Sequence, residues 1–249
     1  MINKKVVIVL LAAAFCLPAQ VFAGKFRVTP IKVYFDSETK SAVINLINEA
    51  DEELRVQLEA REWTQDDSGK DQYSETSGLV FFPKVMTIPP LSKRIIRLGL
   101  KGKLGAREKT YRLFVQELPA RLKSEEGAKI AIAMRFGVPV FVSPSKVEVM
   151  AALGDLQVSA GEITMPIVNT GNVHMMINKI SLKGFDQSNN EIFQKELNGW
   201  YLLNKKTRKY QASIPEETCP KLSSIVIEAM TDKLNLQGKI DVGEFSCRK

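Results

Sequence analysis

The sequence predicts an all-β protein built as two β-sandwich units, and three observations predict it. Apolar residues alternate with polar ones at a period of two along most of the chain beyond residue 24. Turn-forming clusters of Gly, Pro, Asn and Asp recur roughly every 8–12 residues, the spacing of short sandwich strands. No stretch carries a sustained i, i+3, i+4, i+7 apolar stripe of the kind an amphipathic helix needs. Ser143-Pro144-Ser145 reads as a hinge, dividing residues 24–143 from residues 144–249.

The elements follow in order. Residues 1–23 read as a signal peptide: Lys4 and Lys5 precede an apolar run from Val6 to Leu17, and Val21-Phe22-Ala23 suits a small-residue cleavage site. The run is too short to span a bilayer, and Phe15 before Cys16 is too bulky for lipoprotein processing. The exported chain would start at Gly24. Phe26 and Val28, then Val33 and Phe35, open the first unit; Val43–Asn48 and Leu54–Glu59 continue it across an acidic turn. Asp66-Asp67-Ser68-Gly69-Lys70 is a turn by composition. Leu79–Phe82 stops at Pro83, Arg94–Leu98 follows Pro89-Pro90, and Tyr111–Leu118 precedes the most unusual segment, Lys129–Val142. There Ile130, Ile132, Met134, Phe136, Val138, Val140 and Val142 alternate strictly, opposite a mostly small face. A strand so much longer than the usual ~5–6 residues can outrun its own sheet and offer backbone groups and apolar knobs to another chain. A long core strand is the simpler alternative. Beyond the hinge, eight further strand-like segments run from Val147 to Phe245, with Asn169-Thr170-Gly171-Asn172 as a strong turn. The basic run Lys205–Lys209 reads as a solvated hairpin tip, with a polyanion site as the alternative.

Composition narrows the function classes. Of 249 residues, 45% are hydrophobic and 25% charged, an ordinary globular balance. Lys and Arg total 35 against 28 Asp and Glu, for a net +7 that falls to +5 once Lys4 and Lys5 leave with the signal. No basic cluster is dense enough to argue for nucleic acid. The single histidine, His174, removes multi-histidine metal sites and leaves a Ser-His or Cys-His hydrolase resting on that one side chain, which sits in an apolar strand context. No phosphate loop of the Gly-x-x-x-x-Gly-Lys type is present, so no nucleotide or other cofactor is expected. After export two cysteines remain, Cys219 and Cys247, and in an oxidising compartment such a pair most simply forms one disulfide, with free thiols or a metal pair as the alternative.

Residues Arg107–Pro119, reading Arg-Glu-Lys-Thr-Tyr-Arg-Leu-Phe-Val-Gln-Glu-Leu-Pro, resemble the signature of PapD-like periplasmic pilus chaperones, and they stand just before the long alternating strand as in that family. Pro30–Phe35, Phe82-Pro83 with Ile88-Pro89-Pro90, and Ile240-Asp241-Val242-Gly243 resemble the family's first strand, middle and end. The resemblance implies two immunoglobulin-like domains set in an L. It also implies a non-enzymatic role: one strand is lent to a pilus subunit that lacks its own last strand, and the subunit is then passed to an outer-membrane usher. The lent residues would be Ile130, Ile132, Met134 and Phe136, with Val138 as an extension. The family anchors the subunit's terminal carboxylate with two basic residues. Lys32 takes the first position, and Gly137 stands where the second, a lysine, is usual, leaving Arg135 or Arg112 to substitute. Arg97, Glu108 and Asp241 match a buried ionic trio that joins the domains. The short cysteine-free connection before Ile130, the missing lysine at Gly137 and Gly199-Trp200-Tyr201-Leu202-Leu203 point to the archaic branch. The resemblance places the protein in the periplasm, and an exposed apolar edge would favour self-association of the free form. The rival class is an exported two-domain adhesion or carbohydrate-binding module, which should display surface aromatics; Trp63 and Trp200 are the only tryptophans, and neither stands in an aromatic cluster of the sequence.

Overall fold

The computed structural model describes residues 26–118, 133–243 and 246–247; the signal segment, Ile130 and Ile132 lie outside them. Ten strands precede the hinge: β1 (Phe26–Thr29), β2 (Val33–Phe35), β3 (Ser41–Asn48), β4 (Leu54–Gln65), β5 (Asp71–Glu75), β6 (Leu79–Phe82), β7 (Val85–Ile88), β8 (Lys93–Leu100), β9 (Lys109–Glu117) and β10 (Arg135–Val142). Nine follow it: β11 (Ala151–Leu153), β12 (Gln157–Ser159), β13 (Glu162–Asn169), β14 (Met175–Phe185), β15 (Glu191–Asn198), β16 (Tyr201–Leu202), β17 (Thr207–Ser213), β18 (Ser224–Thr231) and β19 (Asn235–Asp241). Between β17 and β18 the described residues form one 3₁₀ turn, Cys219–Lys221, and no α-helix.

These strands make two immunoglobulin-like sandwiches. In the first, the sheet β1-β3-β8-β6 faces the sheet β2-β10-β9-β4-β5, with β7 paired to β4. The chain changes sheet between β1 and β2, so the first strand serves both layers. Alternation buries Ile44, Leu46, Val56, Leu58, Ile96, Leu113, Val115, Val138 and Val140 between the layers. In the second, β11-β13-β12 with β17 faces β15-β14-β18-β19, with β16 on β14. Ile163, Met165, Ile167, Ile180, Leu182, Ile225 and Ile227 fill that core. The expected disulfide is formed: Cys219 in the 3₁₀ turn is bonded to Cys247, Cα atoms 5.7 Å apart.

Strict alternation fails where the sandwiches meet. β4 turns Leu54, Val56 and Leu58 inward, and at its far end Trp63 and Gln65 are buried on the opposite face. β10 is buried on both faces from Val138 to Val142. A third small cluster of Trp63, Phe141, Tyr201 and Leu203 fills the junction between the sandwiches. The basic run also departs from its reading as a hairpin tip. Asn204 and Lys205 form a turn that Lys206 follows, whereas Thr207–Lys209 are already in β17, registered on Val168, Ile167 and Pro166 of β13.

Candidate functional site

β10 is the element of interest. Along one side it pairs antiparallel with β9 over its whole length, from Arg135 opposite Gln116 to Val142 opposite Lys109. Along the other it pairs with β2 only at Val140–Val142, in parallel. From Arg135 to Pro139 that second edge has no strand beside it among the described residues. Such an edge carries backbone donors and acceptors that template strand addition, although Gly137 O is already taken by Arg112 Nη1 and Pro139 has no N–H to offer. At its open end the core-facing residues change character. Met134 packs against the core and Phe136 is 37% exposed, while Val138 is fully buried. Val138 therefore belongs to the protein's own core, which corrects its reading as a lent residue. Of the 14-residue strand expected over 129–142, Arg135–Val142 are strand among the described residues, and 129–132 lie outside them.

The second feature is the aromatic junction. Arg112 lies on β9 with its guanidinium carbon 3.9 Å from the Trp63 ring centroid and 5.4 Å from that of Tyr201. Its Nη1 donates to Gly137 O at 3.1 Å, but among the described residues the buried Nε and Nη2 have no partner in hydrogen-bonding geometry. Burial lowers its pKa from the usual guanidinium value, against the opposing influence of Tyr73, Asp71 and Tyr201. Lys32 converges on the same Tyr201 ring, its Nζ 5.4 Å from the centroid. Burial works against the Lys32 charge, yet the Tyr201 hydroxyl, Tyr34 and Asp232 outweigh it and raise its pKa. Arg135 is held elsewhere, 3.0 Å from a Glu59 carboxylate oxygen and over the Phe114 ring. The structure thus places both Lys32 and Arg112 beside the Tyr201 ring and engages Arg135 in a surface pair. Gly137 explains the absence of a lysine: a Cβ there would stand 3.0 Å from the Phe114 ring and 3.8 Å from Arg112 Cδ. Gly199 does similar work for the motif before Trp200, since a Cβ would meet Ile177 O at 1.8 Å.

A set of buried polar contacts locks the sandwiches together, and it is not the expected trio. Arg97 and Asp241 are exposed on separate sheets, where water solvates their charges, and neither is paired with Glu108 among the described residues. Glu108 is buried, so it needs partners, and it finds them in His174: its Oε2 accepts from the His174 backbone N–H and lies 2.7 Å from Nδ1. The His174 ring stacks on Phe141 of β10 at 3.5 Å between centroids and 6° between planes. Asn172 ties three segments at once, donating to Ala106 O and Lys146 O and accepting from Glu148 N. Gln65 does the same from β4, donating to Tyr201 O and accepting from Leu203 N.

Residues 25–148 match the family described as pili and flagellar-assembly chaperone, PapD N-terminal domain. The chain belongs to the PapD-like pilus chaperones. No curated protein sequence matches it. Among solved structures, a chain of the CsuC–CsuE chaperone–tip adhesion subunit pre-assembly complex, from archaic chaperone-usher Csu pili of Acinetobacter baumannii, superposes with a TM-score of 0.61 at 21% identity, over 86% of this chain and 98% of that one. A chain of the Salmonella enterica SafA pilin complex with the SafB chaperone gives 0.54 at 10% identity, over 90% and 99%. The CupB2 chaperone of Pseudomonas aeruginosa gives 0.53 at 13%, over 87% and 100%. At these identities the likeness establishes the fold.

Sequence reasoning missed Trp63, Tyr201, Gln65 and Asn172. Trp63 does stand in an aromatic cluster, but its members Phe141, Tyr201 and Arg112 come from distant segments. One signal was available: a tryptophan near the end of an amphipathic strand, on the face that alternation makes polar.

Proposed function

We propose that this protein is a periplasmic chaperone that binds pilus subunits by lending them a strand, keeps them from aggregating, and delivers them to an outer-membrane usher, without catalysis. The observation that carries this reading is the edge of β10 from Arg135 to Pro139, which no strand pairs among the described residues and which carries Phe136 and follows Met134. A subunit strand laid along it would satisfy backbone groups on both partners. Ile130, Ile132, Met134 and Phe136 are the proposed knobs, each contributing roughly 1.5–3 kcal/mol on full burial before ordering costs.

The proposed carboxylate anchor is Arg112 with Lys32. A guanidinium with two buried, unbonded donors is an unfinished site, and a carboxylate supplies what it lacks; a hydrogen bond to a charged group contributes about 1.5–3 kcal/mol. The fold likeness to the Csu complex and the glycine at 137 support the archaic branch. Residues 24–143 are the proposed subunit-binding domain and 144–249 its companion.

Co-purification from the periplasm of the source cell tests the reading. Wild-type protein should elute one-to-one with a small subunit, and Ile132→Arg should elute alone. A subunit retained by Ile132→Arg, or a wild-type protein alone under pilus-producing conditions, would overturn it in favour of an exported binding module.

A further inference from the structure

On a face of the domain junction that the strand-lending account does not use lies a groove of about 670 Å³. Arg107 and Lys109 line it from the first sandwich, Lys205 and Lys206 from the second. Several surface cations elsewhere stand in ion pairs, Arg27 with Glu49, Arg61 with Glu59, Lys146 with Glu148, Lys179 with Glu196 and Lys183 with Glu191. Among the described residues Arg107, Lys109 and Lys206 of the groove have no side-chain partner, and Lys205 Nζ reaches a carbonyl, Thr170 O. Two carboxylates also line it. Glu108 is committed to His174, which leaves Glu62 as the one carboxylate facing four cations.

The cations stand on fixed backbone. Lys205 holds a left-handed conformation, φ 57°, which costs a non-glycine residue on the order of 1 kcal/mol or more. The turn is kept in place by Asn204, which donates to Glu108 O, and by Leu203 N, which donates to Gln65. The Arg107 segment is held in turn by the Asn172 bond to Ala106 O and the Ser145 N bond to Gly105 O. Trp63 lines the same groove and keeps its indole Nε1–H buried without an acceptor.

We infer that this groove binds an acidic peptide segment of a partner protein. Four cations drawn from two sandwiches form a positive field that a single carboxylate cannot neutralise. Their arrangement along a groove suits an extended chain carrying several carboxylates. A bilayer is flat and would meet only the rim. None of the four cations stands on the open edge of β10, although Trp63 lines the groove and also packs under Arg112.

The test uses the purified full chain and a fluorescein-labelled hexaglutamate peptide at low ionic strength. Lys109→Glu/Lys206→Glu reverses one unpartnered cation on each side of the groove. Lys233→Glu/Lys239→Glu makes the same change in net charge on exposed residues away from it. The groove variant should bind the peptide about tenfold more weakly than wild type, as two surface attractions become repulsions. The control variant should bind like wild type, and added salt should weaken both. Equal losses in the two variants would overturn the site, since they report net charge alone. So would capture of phosphatidylglycerol-rich vesicles without capture of the peptide. Subunit co-purification and melting temperature should be unchanged in the groove variant, which separates failure of this site from failure of strand lending.

Discussion

As the proposed carboxylate anchor, Arg112 would serve function at the expense of stability. Its guanidinium is desolvated against Trp63 with two donors unused, an arrangement that hydrophobic packing of similar volume would improve. Arg112→Met should therefore melt at or above the wild-type temperature while capturing subunit at least tenfold more weakly, by thermal unfolding and affinity capture on one preparation. A large drop in melting temperature would instead make Arg112 a structural clamp. Glu108 is the opposite case. Removing its carboxylate leaves the His174 backbone N–H and ring without their acceptor, so Glu108→Ala should lose about 3 kcal/mol in urea unfolding, with Glu108→Gln losing less. Affinity per folded molecule should change little.

At the scale of elements, the ends of strands decide the behaviour. β10 is half core and half edge: Val138–Val142 are locked on both faces, while Arg135–Gly137 carry the open side. Gly137 sits between these halves, and Gly137→Ala should cost about 1 kcal/mol by pressing on Phe114, itself edge-on to Tyr73, as read by chemical denaturation. The β4–β5 turn depends on Asp66, which accepts from Ser68 and Lys70 backbone N–H groups and from the Ser68 hydroxyl and Gln72 amide. The Ser68 hydroxyl bond, with the others, lowers its pKa to about 2. A carboxylate whose folded pKa is depressed stabilises the fold above its unfolded value, about 3.9, and loses that contribution as pH falls toward 2. Amide protection of Ser68 and Lys70 should thus be complete above about pH 4 and disappear between about 4 and 2.

For the whole molecule, what could be read in advance was whatever is local. Alternation and turn chemistry are written in neighbouring residues, so the strands were legible, as was the cysteine pair. The junction was not, because its partners are far apart in sequence. Asn172 looked like turn punctuation and proved to hold three segments together; Glu108 was expected to find Arg97 and Asp241 and found His174. Val138 shows the same limit: periodicity gives the face a residue occupies, and only the partner sheet determines how far along the strand that face is covered. The disulfide closes a 28-residue separation wholly within the second sandwich. Replacing both cysteines by serine should lower that sandwich's stability by roughly 3 kcal/mol in calorimetry and leave the first sandwich's transition in place.

The central claim is that β10 lends its open edge, and hydrogen exchange reads that edge directly. Amides of Arg135–Val138 that point away from β9 should exchange quickly in the free chain and become strongly protected when a pilus subunit is bound, with β2 and the buried end of β10 unchanged. A subunit bound stoichiometrically while those amides exchange as fast as in the free chain would contradict it.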